Sequence, residues 1–214
     1  MKKKYIELLL NKCVDFSSKI LFINYDIEIE DFVMELSDRA RELGMEEIYF
    51  DKADVNECHD ILASSSIDEI KKHSYFNKSY WDDYATKGAS FLIIETEHPG
   101  VMDDIDSEKV SVSAKVKRES RPKYRKMVEN CELSWCIAAY PGEMWAKSLY
   151  GNNEDAYERL ENAIYKMCMV SEGNAILNWD NQLEKTDFII KKLNDLKLEK
   201  LHYSNSLGTD LDVY

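Results

Sequence analysis

The richest concentration of metal-capable side chains lies in "ETEHPGVMDDIDSE" (95–108), which holds Glu95, Glu97, His98, Asp103, Asp104 and Asp106. Carboxylates and an imidazole are ligand types that divalent cations accept. The segment lacks the regular spacing and the glycine of a calcium loop, so it reads as a solvated acidic loop in which Asp106 or Ser107 caps the next helix. Cys58-His59-Asp60 also carries metal-capable groups, but consecutive helix positions point in different directions. His73 and His98 stand alone, and neither an H-E-x-x-H pair nor a Gly-x-Ser-x-Gly elbow occurs among the four histidines and the serines. Asn24–Glu28, the loop after the first apolar run, has no glycine to let a phosphate approach the backbone, which argues against a nucleotide site. Lys115, Lys117, Arg118, Arg121, Lys123, Arg125 and Lys126 form one basic stretch that reads as a solvated helix face. From these residues no catalytic, cofactor-binding or metal-ligating position is assigned.

The elements that must position these loops follow from periodicity. Short apolar runs near 19–25, 46–50, 89–95 and 132–140 read as buried strands, with Trp135 inside the last and expected in the core. Helical patterns separate them, over 2–16, 29–43, 54–87 and 107–130, with Trp81 and Tyr84 forming a stripe in the third and Pro122 expected to kink or divide the fourth. Gly44 suits the end of the second, because a residue without Cβ tolerates the left-handed conformation. Helices over 144–150, 154–170 and 179–196 precede a terminal hairpin of 198–203 and 209–214. Strands alternating with helices predict an α/β fold: a three-layer, mainly parallel sheet flanked by helices and ending in a β-hairpin.

The chain has 214 residues, a formal net charge of −13, and 44% hydrophobic against 32% charged residues. That length favours one large α/β domain, and the charge argues against nucleic acid or an anionic membrane surface as partner. Five cysteines with no paired zinc spacing point to reduced thiols and a cytoplasmic setting. No apolar run approaches the ~20 residues that span a bilayer.

One resemblance reaches further. "WCIAAYPGEMWA" (135–146), Asn178-Trp179, the helix carrying Leu183 and Leu193-Asn194, and "LHYSNSLGTDLDV" (201–213) are similar to elements of the aminopeptidase T and aminopeptidase S family of metallo-aminopeptidases. Lys19–Asn24, the Ala40–Gly44 helix end and Phe91–Ile94 fit it more loosely. Leu149-Tyr150 and His98-Pro99 depart from the family pattern. The resemblance implies an N-terminal α/β domain (1–197) and a hairpin (198–214) that begins the connection to a catalytic domain absent from this sequence. It also implies that the glutamate, histidine, tyrosine and aspartate ligands of a two-metal site (zinc, cobalt or manganese) lie beyond the Gly-Thr-Asp-Leu hairpin. The segment alone is therefore expected to bind no metal and to be inactive. Peptide substrates and a homodimer are implied for the full-length enzyme, with Trp135, Pro141, Trp145, His202 and Asp210 in structural roles. The alternatives are a stand-alone small-molecule-binding domain using residues 95–106 and a structural interaction domain.

Overall fold

The structure is a computed structural model that describes residues 1–214. Its elements run α1 (Lys2–Cys13), β1 (Ile20–Asp26), α2 (Glu30–Glu42), β2 (Glu47–Ala53), α3 (Val55–Ser64), α4 (Ile67–Ile70), α5 (Tyr80–Thr86), β3 (Ser90–Glu95), α6 (Ser107–Glu119), α7 (Pro122–Glu129), β4 (Trp135–Ala139), α8 (Glu143–Tyr150), α9 (Ala156–Met167), α10 (Ala175–Asp195), β5 (Leu201–Ser204) and β6 (Asp210–Val213).

β1 to β4 form one parallel sheet in the order β2-β1-β3-β4, while β5 and β6 pair antiparallel in a sheet of their own. Alternation sorts the strand residues between two cores. Leu21, Ile23, Tyr25, Leu92 and Ile94 face a large core built with Tyr5, Leu9, Phe32, Leu36, Leu160 and Ile164 from α1, α2 and α9. Phe22 and Phe91 face the other way, against Trp81 and Ala85 of α5 and Tyr124 of α7. A third cluster joins Cys58, Leu62, Ile70 and Phe76 beside α6. The three-layer α/β expectation thus holds.

Local signals placed several boundaries. Gly44 follows α2 with φ +106°, a conformation that costs glycine little. Pro122 opens α7, so the expected 107–130 helix is two helices. The Asp106 side chain accepts from the Glu108 N–H and caps α6. The stretch 54–87 is not one helix: α3, α4, a 3-10 turn at Ser74–Phe76 and α5 share it.

Two expectations are corrected. Trp135 is 44% exposed, with Ile137 beside it on the same face. Its strand is right, but β4 is an edge strand, and the helices that cover Phe22 and Phe91 leave that side of the edge open. The basic stretch is also not wholly solvated. Lys115, Arg118, Lys123, Arg125 and Lys126 are exposed, whereas Lys117 and Arg121 turn inward, and the Arg121 guanidinium lies 4.0 Å from the Trp81 ring centroid.

Candidate functional site

The chain leaves β1 for β2 on one side and returns to β3 on the other, so β1 and β3 form the point where strand order reverses. Open α/β sheets bind ligands at the carboxyl ends of such strands, because the connecting loops diverge there and leave a crevice. A crevice of about 360 Å³ occupies this position, lined among others by Asp26, Asp54, Tyr75, Thr96, His98 and Lys117.

Parallel pairing of β1 with β3, Tyr25 opposite Ile94, brings the two loops into register. His98 Nε2 then lies 3.1 Å from Glu28 Oε2 and 3.5 Å from Asp26 Oδ1, with the imidazole 10% and the carboxylates 13% (Asp26) and 25% (Glu28) exposed. Backbone amides hold the acids in place. Asp26 Oδ1 accepts from the Glu28 N–H at 3.0 Å, Asp26 Oδ2 from the Val55 N–H at 3.1 Å, and Glu28 Oε1 from the Glu143 N–H at 2.7 Å. The loops after β1 and β2 and the first turn of α8 therefore meet at one group of side chains.

The opposite wall has different chemistry. The Lys117 ammonium lies 5.6 Å from the Tyr75 ring centroid and 5.4 Å from that of Phe76, and burial pushes its pKa below the usual lysine range. Burial likewise pushes the Cys58 thiol up, while Tyr75, which donates to Asp54 O at 2.8 Å, is raised to about 12, chiefly by burial.

A neighbouring buried charge is structural. The Asp51 carboxylate, 4% exposed, accepts from Asn24 Nδ2 (2.9 Å), Lys78 Nζ (3.0 Å), Tyr80 Oη (2.5 Å) and Trp81 Nε1 (3.0 Å). Its four donors tie β1 and β2 to α5 beneath the crevice.

Of the acidic-loop candidates, only His98 joins this group. Glu95 and Glu97 are exposed, Asp106 caps α6, and Asp104 pairs with His59 Nε2 at 3.0 Å on the surface. The loop sequence of residues 24–28 speaks only to phosphate binding and does not single out Asp26 and Glu28. The signal that could have found them is their place at the carboxyl end of an internal strand. All five cysteines are free, and no helix is long and apolar enough to cross a membrane.

The fold and crevice define an open parallel α/β domain, and comparison with known proteins places it further. A family described as thermophilic metalloprotease (M29) matches residues 1–214, and the chain belongs to that family. It is 22% identical over 203 residues to Aminopeptidase 2 of Geobacillus stearothermophilus, covering 94% of this chain and 49% of that protein. It is 24% identical over 215 residues to Aminopeptidase PepS of Streptococcus thermophilus, covering 99% and 52%. The solved structure of wild-type AmpT from Thermus thermophilus superposes with a TM-score of 0.77 at 21% identity, covering 99% of this chain and 53% of that one, a likeness of fold. The chain spans about half the length of the curated relatives it matches.

The family implies a metal. Asp26, Glu28 and His98 are the one group of three metal-capable side chains whose ligand atoms all lie within 4.8 Å of one another. Two hydrolytic ions need more ligands, with groups shared between them. Three protein ligands do not fit such a pair, although they are enough for one ion with an open position.

Proposed function

We propose that this chain is the N-terminal accessory half of a metal-dependent aminopeptidase, one that releases N-terminal residues from peptides when joined to a catalytic half. Family membership and the names of the relatives support the activity. The observation that carries the role of this half is its uncovered apolar surface. α10 exposes Leu183, Phe188, Ile189, Ile190 and Leu193, and the hairpin exposes Leu201, Tyr203, Leu211 and Val213. So large an apolar face marks an interaction surface. It begins on α10 and continues onto residues 198–214, which we take as the start of the connection between halves. In this reading the catalytic metals and their ligands belong to the other half, while this half shapes the cleft and limits access for large substrates. A cytoplasmic setting, supported by the free cysteines, and a homodimer of the complete enzyme are part of the same proposal.

The test compares hydrolysis of leucyl and arginyl chromogenic substrates by the 214-residue chain and by the polypeptide read through any codons after Tyr214. We expect the first to be inert and the second to show turnover that a chelator abolishes. Turnover by the 214-residue chain, or a coding sequence that stops at Tyr214, would contradict the reading.

A further inference from the structure

We propose that Asp26, Glu28 and His98 form a binding site for one divalent transition-metal ion of the zinc type, which pins the loops after β1 and β3 to the start of α8. The geometry fits an ion better than it fits a simple ion pair. A tetrahedral ion with ligands at about 2.0–2.2 Å holds neighbouring ligand atoms about 3.4 Å apart. The observed separations of 3.1 and 3.5 Å from His98 Nε2 to the two oxygens bracket that edge. A single ring N–H, by contrast, serves two carboxylates on different residues only through a bent, bifurcated hydrogen bond.

The surroundings resemble those of a metal site as well. Ligating carboxylates are ordinarily oriented by further hydrogen bonds, and the Val55 and Glu143 amides do this here for Asp26 and Glu28. Thr96 Oγ1 supplies an independent observation. It is completely buried and has no hydrogen-bond partner. It and Glu28 Oε2 both crowd the Gly142 Cα, at 2.4 and 2.5 Å from the position a Cβ would take, so the two oxygens lie within about 5 Å of each other. A buried hydroxyl without a partner calls for an explanation, and a water on the ion's open position supplies one. Imidazole with two carboxylates is a donor set for zinc or manganese, not for a thiol-seeking ion. The site departs from the expectation, drawn from the family resemblance, that this segment alone binds no metal. It does not rest on the peptidase reading.

The test uses the 214-residue chain, stripped with a chelator, desalted and titrated calorimetrically with zinc alone. We expect one zinc per chain, a rise in the thermal midpoint, and at least a tenfold loss of affinity in His98→Gln and Glu28→Gln, with His59→Gln unchanged. Should either site variant fail to fold by circular dichroism, cobalt loading of the unaltered chain decides. Visible d–d bands of a nitrogen and oxygen site without thiolate charge transfer support the assignment. No binding, a thiolate spectrum that moves the ion to the cysteines, or affinity lost in His59→Gln but kept in His98→Gln would overturn it.

Discussion

The Glu28 carboxylate, in the turn just after β1, accepts a hydrogen bond from the backbone N–H of Glu143, 2.7 Å away and 115 residues on. This contact ties the turn after β1 to the start of α8, and it depends on Gly142. Any side chain there would place its Cβ at 2.4 Å from Thr96 Oγ1 and 2.5 Å from Glu28 Oε2. Gly142→Ala should therefore cost about 1–3 kcal/mol in denaturant unfolding, the range for overpacking a filled site. An unchanged midpoint would mean that the loop yields freely.

Asp51 should be the costliest polar residue to change. Asp51→Ala leaves Lys78 as a largely enclosed charge and strands the Trp81 indole N–H. We expect a loss of ~3–5 kcal/mol in urea unfolding, as for breaking a buried ion pair. A loss below about 1 kcal/mol would show that Asp51 is not buried as described.

The architecture was legible in the sequence because each strand is a short apolar run between helical patterns, and because Pro122 and Gly44 mark boundaries by their backbone chemistry. Trp135 was misplaced because periodicity gives the face of a strand but not whether anything covers it. The crevice was half legible. His98 stands among the metal-capable residues of the acidic loop, while Asp26 and Glu28 lie some 70 residues earlier and join it only through the β1–β3 register, which no local pattern encodes.

Trp135→Ala should cost about 1 kcal/mol or less in this chain, as at surface positions. Thermal unfolding of the variant checks this. A loss of several kcal/mol would place the ring in a core.

His59 and Asp104 join α3 to the acidic loop through a surface pair. Its bonds to Asp104 and then Asp60 raise the His59 pKa above its ordinary 6.5, and the bond to His59 holds Asp104 below its ordinary 3.8. The raised imidazole contributes stability that is complete below the unfolded-state value near 6.5 and is lost as pH rises through the folded one. The depressed carboxylate contributes stability that is complete above about 3.8 and is lost as pH falls through its folded value. The pair is therefore fully formed between these limits, and it weakens in salt because it is exposed. NMR titration should put the His59 midpoint above 6.5 and nearer 6.5 in Asp104→Asn. An identical midpoint in both proteins would remove the pair from the description.

We propose that α10 and the terminal hairpin are one side of an interface. Every residue of β5 and β6 is exposed, and the two strands pair only with each other. An isolated two-stranded hairpin is marginal in water, so its amides should exchange fastest among the strands of the 214-residue chain. The most direct measurement is hydrogen–deuterium exchange over residues 183–195 and Leu201–Val213, first in this chain as a monomer and then in any polypeptide read past Tyr214. We expect fast exchange in the first and strong protection of both segments in the second. Slow exchange across the hairpin in the monomeric 214-residue chain, or no gain in protection in the longer one, would contradict the claim.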